Sequence, residues 1–65
     1  MRLSEIRKKK RISQLKMALD LNVSQNTISR YETGDREPDL EMLVRLADYL
    51  DVSLDYLLER TAENH

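Results

Sequence analysis

The 65-residue chain has no cysteine, tryptophan or phenylalanine, and only one glycine, one proline and one histidine. Without cysteine there are no disulfides and no thiolate metal sites. The lone imidazole, His65, is the last residue, and one terminal imidazole does not make a metal site. No apolar run approaches the roughly 18 residues that span a bilayer. The N-terminus is charged from Arg2 onward, with no apolar signal segment. The expectation is a soluble, cytoplasmic protein with no membrane association, no cofactor and no small-molecule ligand. The same absences argue against an enzyme. There is no thiol nucleophile, no internal histidine and no glycine-rich phosphate loop, and so short a chain encloses little of a cleft.

Charge is present in both signs but is not mixed evenly. The net charge is −1. Residues 1–30 hold eight basic side chains (Arg2, Arg7, Lys8, Lys9, Lys10, Arg11, Lys16, Arg30) against Glu5 and Asp20, a balance of +6. Residues 31–65 carry −7. Such polarity fits one face for a polyanion and a different face for something else, although a basic run also occurs as plain solvated surface.

With only Gly34 and Pro38 as strong breakers and no run of strand formers, helices are the default. Five are expected in one domain over residues 1–60, followed by a polar tail over 61–65. The first covers about residues 2–10, with Leu3 and Ile6 inward. Ser13 caps a second that runs to Leu21, and Ser24 caps a third that runs to Thr33, with Gly34 as its left-handed terminus. Asp39 caps a fourth, in which Leu40, Leu43, Val44, Ala47 and Leu50 keep helical spacing. Ser53 caps a fifth, from Leu54 to Arg60. Leu21-Asn22-Val23-Ser24 and Leu50-Asp51-Val52-Ser53 echo one another. In each, a residue tolerant of the left-handed region follows an apolar helix end, then an apolar residue and a capping serine.

Residues 14–33 have the layout of a helix-turn-helix. The steep crossing of two helices needs a small side chain at closest approach, which Ala18 supplies. Asn22 suits the corner and Ser24 the cap. Val23, Ile28 and Tyr31 form the inner face of the second helix of the pair. Gln25, Asn26, Ser29 and Arg30 are left facing outward, with Thr27 beside them. All of these can hydrogen-bond and none is acidic. Gln and Asn can pair with adenine and Arg with guanine in the major groove.

These residues resemble the Cro/C1-type, or XRE, family of phage-repressor DNA-binding domains. The similarity runs over about residues 3–58. It rests on Ile6-Arg7, Ser13-Gln14, Val23-Ser24, Thr27-Ile28-Ser29-Arg30-Tyr31-Glu32, Gly34, Arg36-Glu37-Pro38, Leu46-Ala47 and Leu50-Asp51-Val52-Ser53. The resemblance implies an all-α, compact five-helix bundle whose third helix enters the major groove. It implies a phosphate contact from Gln14 and base contacts from Gln25, Asn26 and Arg30. Ser24, Thr27 and Ser29 would lie near the backbone or groove floor, and Arg36 near a flanking phosphate. It also implies a partly buried, structural ion pair between Arg7 and Glu32. The function expected is a sequence-specific regulator of transcription, a repressor, bound as a homodimer to an inverted-repeat operator in double-stranded DNA. Tyr49, Leu54 and Tyr56 lie where such families often dimerise. The alternative is an antitoxin-like or anti-repressor module that holds a protein partner.

Three departures from the family pattern stand out. Asn22 replaces a usual glycine. Lys10-Arg11 occupies a turn where glycine is common, so the added charge is either phosphate-binding or merely solvated. Leu15 and Leu19 replace polar residues. Four apart, they share a flank of the second helix, either widening the core against the first helix or forming a contact patch for a second chain or regulator.

Overall fold

Helix starts in this chain are set by short polar side chains that take over orphan backbone donors. In the computed structural model, which describes residues 1–59, Ser13 accepts from the Lys16 amide at 3.0 Å and Ser24 from Thr27 at 3.1 Å. Asp39 accepts from Met42 at 2.9 Å and Ser53 from Tyr56 at 3.0 Å. The helices that follow are α2 (Gln14–Leu21), α3 (Gln25–Thr33), α4 (Leu40–Leu50) and α5 (Leu54–Leu58), preceded by α1 (Leu3–Lys9). α1 has no side-chain cap. α5 stops at Leu58, with Glu59 extended, short of the end expected at Arg60. Arg60 and the expected tail over 61–65 lie outside the described residues.

Three helices end on a left-handed residue. Asn22 (φ 60°), Gly34 (φ 87°) and Asp51 (φ 57°) take this role for α2, α3 and α4. The echoed corners are therefore built alike, with Val23 donating to the Ala18 carbonyl at 2.9 Å and Val52 to Ala47 at 3.0 Å. A fourth left-handed residue was not expected: Arg11, at φ 59°, between α1 and α2.

The core is one cluster drawn from all five helices: Leu3 and Ile6; Met17, Ala18 and Leu21; Ile28 and Tyr31; Leu46, Ala47 and Leu50; and Leu57. α2 and α3 pack most extensively against each other, with Ala18 at the crossing only 1 % exposed. The apolar stripe of α4 is wider than the surface that covers it. Leu46, Ala47 and Leu50 are buried, whereas Leu40 and Val44 of the expected stripe face solvent. Among the described residues no helix is long and apolar enough to cross a membrane.

Candidate nucleic-acid interface

α3 divides into three faces. Ile28 and Tyr31 anchor it in the core. Asn26, Arg30 and Thr33, at spacings of four and three, form an outward row, and all three are exposed. Gln25, Ser29 and Glu32 run beside that row along the flank nearest α1 and α2. Gln25 is exposed and Ser29 half-buried. Thr27 lies on the opposite flank, half-buried, and its hydroxyl sits 2.8 Å from the hydroxyl of Ser24. Two of the expected contact residues thus bond to each other at the first turn of α3.

A buried charge pair fixes this helix to α1. Arg7 Nε donates to Glu32 Oε2 at 2.6 Å and Arg7 Nη2 to Glu32 Oε1 at 3.1 Å. The two side chains are only 10 % and 7 % exposed. Arg7 Nη1 donates to the Ile12 carbonyl at 2.8 Å, so one guanidinium holds both α3 and the turn before α2. Burial alone would raise the Glu32 carboxyl. Hydrogen bonds from Arg7 and Gln14, with the positive charges of Arg7 and Lys8, outweigh burial and hold it below the usual glutamate range.

Gln14 is tied into the same pair, a feature that spacing did not indicate. Its Nε2 donates to Glu32 Oε1 at 2.9 Å. A carboxylate only accepts, so the amide of Gln14 has one permitted orientation, with its oxygen turned away from the pair. That oxygen accepts from Gln25 Nε2 at 3.5 Å. The direction set by a buried carboxylate is thereby passed through Gln14 to Gln25. Gln25 keeps its amide oxygen and one N–H, and Gln14 keeps one N–H.

The remaining expected residues fall nearby. Arg36 lies in the exposed loop after α3, with its guanidinium 6.0 Å from the centre of the Tyr31 ring and its amide bonded to the Arg30 carbonyl at 3.3 Å. Its loop also carries Asp35, Glu37 and Asp39, all exposed. On the far side of α2, Arg45 Nη2 donates to the Leu21 carbonyl at 2.7 Å. Tyr49 donates to Asp20, which also pairs with Lys16. The hydrogen bonds from Tyr49 and Lys16 hold the Asp20 carboxyl below its usual range. Burial, and then the bond to Asp20, push the Tyr49 hydroxyl up to about 12. These bonds lock α4 onto the last turn of α2. Leu15 and Leu19 stay outside this packing, 53 % and 69 % exposed, so neither widens the core.

Two tightly packed helices joined by a short corner at Asn22, the second anchored by its inner face and presenting an uncharged and basic outer row, form a helix-turn-helix. The family model described as helix-turn-helix matches residues 3–57. The chain belongs to that family. It is 44 % identical over 57 residues to the uncharacterized HTH-type transcriptional regulator YqaE of Bacillus subtilis, covering 88 % of this chain and 49 % of the relative. It is 42 % identical to the HTH-type transcriptional regulator ImmR of the same organism, over 88 % of this chain and 45 % of ImmR. To the cryptic phage CTXphi transcriptional repressor RstR of Vibrio cholerae it is 38 % identical, over 94 % of this chain and 54 % of RstR. The chain spans about half the length of the curated relatives it matches.

Proposed function

We propose that this helix-turn-helix chain is a sequence-specific regulator of transcription, a repressor, that reads double-stranded DNA with α3 in the major groove. One observation carries the reading. α3 is clamped by its inner face and by the Arg7–Glu32 pair, and the surface it leaves free is an acid-free row of hydrogen-bonding side chains. Several relatives bear the names of transcriptional regulators, and one that of a repressor.

In this reading Gln25, Asn26 and Arg30 contact base edges. Gln25 is suited to adenine, because its oxygen can accept from N6 while its second N–H donates to N7. Arg30 is suited to guanine. Gln14 donates its second N–H to a phosphate, and Arg36 reaches the backbone beyond α3. Ser24, Thr27 and Ser29 line the groove wall. Phosphate contacts position the protein and base contacts specify the sequence.

A homodimer on an inverted repeat follows from the same reading. The support is the apolar surface left uncovered by α4 and α5, where Leu40, Val44 and Leu58 are exposed. Leu15 and Leu19 lie on a different helix and are assigned here to contact with a protein partner. Such a regulator works in the cytoplasm, beside its DNA.

Selection from a random duplex library tests the reading. The expected product is an inverted repeat with half-sites about 34 Å apart. Arg30→Ala should relax discrimination at one base position, and Gln14→Ala should weaken all duplexes alike. Enrichment of no sequence would overturn the assignment.

A further inference from the structure

Among the described residues, basic side chains engaged by no ion pair, ring contact or backbone carbonyl lie in two places. Arg2, Arg7 and Lys16 sit in ion pairs, Arg45 caps α2, and Arg36 lies over Tyr31. That leaves Arg30 on α3 and the run Lys8-Lys9-Lys10-Arg11 at the end of α1. All four residues of this run are exposed, and none has an ion pair among the described residues. The C-terminal dipole of α1 accounts for lysines at 8 to 10. It does not account for Arg11, which lies beyond the helix in the left-handed region at φ 59°. The other left-handed corners use Asn22, Gly34 and Asp51, residue types suited to that conformation. A long β-carbon-bearing side chain is held there with no side-chain partner among the described residues, the kind of local strain found at functional sites.

The backbone of the run is also held in place by hydrogen bonds. Lys10 donates to the Ile6 carbonyl at 3.1 Å, Arg11 to Lys8 at 3.0 Å and Ile12 to Arg7 at 3.1 Å. Arg7 then binds the Ile12 carbonyl with one nitrogen and Glu32 of α3 with two others. The turn is therefore fixed to α3 through a single buried side chain, on the flank that also carries Gln14 and Gln25. The opposite flank of α3 faces the loop of Asp35, Glu37 and Asp39, where acids outnumber Arg36. The two DNA strands bordering a groove occupied by α3 would meet surfaces of opposite character.

We propose that Lys8–Arg11 is a second phosphate clamp of the DNA interface, gripping the duplex backbone on the Gln14 side of α3. Arg7 acts as the strut that holds it in register with the recognition helix. This rests on the reading of α3 as a DNA-reading helix. Because its contacts are to phosphates, the clamp adds affinity without sequence preference, and its signature is salt dependence. Each phosphate contact adds about 0.9 to the slope of log affinity against log salt. Loss of one contact makes binding roughly threefold less sensitive between about 50 and 200 mM salt.

The test uses the full chain, its selected operator and a random duplex of equal length, with binding followed by fluorescence anisotropy across a salt series. Arg11→Gly is the informative variant because it relieves the left-handed strain. The expected result is a higher Tm together with weaker binding, by a similar factor on both duplexes, and a slope smaller by about 1. Lys10→Gln should lower the slope likewise, and Arg11→Lys should keep it. If Arg11→Gly and Lys10→Gln both bind both duplexes as the parent chain does, with unchanged slope, the clamp is overturned while the reading of α3 stands. If the parent chain shows no salt-dependent binding to any duplex, both fall together.

Discussion

Glu32→Ala would remove the carboxylate that neutralises Arg7, and the consequence follows from burial. The Arg7 side chain is 10 % exposed and would keep only the Ile12 carbonyl as an acceptor. Breaking a buried pair by removing one partner costs about 3–5 kcal/mol, because the other charge is left uncompensated. At about 0.05–0.15 kcal/mol per residue, a chain of 65 residues has a total stability of only roughly 3–10 kcal/mol. In a domain this small each kcal/mol shifts Tm by about 4–8 °C, so a fall on the order of 12–40 °C is expected. Thermal unfolding followed by circular dichroism measures it. Replacing both partners, as Arg7→Met with Glu32→Leu, should recover most of the loss, since an apolar pair avoids the desolvation of two charges. The pH profile supplies an independent check. The Glu32 carboxyl is held below its usual range in the folded chain, so its stabilisation is complete above the unfolded pKa and drains away as pH falls through the folded one. The acid limb should be shallower in Glu32→Gln than in the parent chain. A loss below about 1 kcal/mol on Glu32→Ala would mean that the pair behaves like an exposed surface bridge, and the account of α3 being clamped through it would be wrong.

Other expectations can be read with the same instruments. Leu46→Ala deletes a fully buried side chain in α4 and should cost about 2–5 kcal/mol by denaturant unfolding. Ser24→Ala removes the cap of α3 and should cost about 1 kcal/mol, with a matching loss of helicity. Leu19→Glu should leave stability within about 0.5 kcal/mol, because the side chain is 69 % exposed. Its effect belongs to partner binding or assembly by sedimentation, and a large loss of stability would place Leu19 in a packed interface of the single chain. Leu40→Glu with Val44→Glu should lower dimer formation on the operator without unfolding the protein. Dimers formed as readily as by the parent chain would move the interface away from α4.

The capped helix starts and three of the four left-handed corners were legible in the sequence, the turn at Arg11 excepted, because they are decided within a few residues. A serine or aspartate three positions ahead of an amide caps it, and asparagine, glycine or aspartate turns the corner, whatever lies across the fold. Ser13, Ser24, Asp39 and Ser53 act as their spacing indicated, and the inner and outer residues of α3 follow from its period. The Arg7–Glu32 pairing came from resemblance, since residues 25 apart carry no local sign of each other.

Only the tertiary structure decided which part of a wide apolar stripe is covered. Period alone makes Leu40 and Val44 as eligible as Leu46, but α4 turns the flank bearing Leu46, Ala47 and Leu50 toward its neighbours. Leu15 and Leu19 stay outside for the same reason, because burial depends on where other helices stop. The orientation of Gln14, the Arg45 cap on α2 and the Asp20–Tyr49 link are further results of assembly. A long polar side chain has many rotamers, and only a fixed partner across the fold selects one. Sequence determined the pieces and the residues α3 could present. Packing determined how rigidly they are presented, because rigidity here comes from a buried charge pair between distant residues.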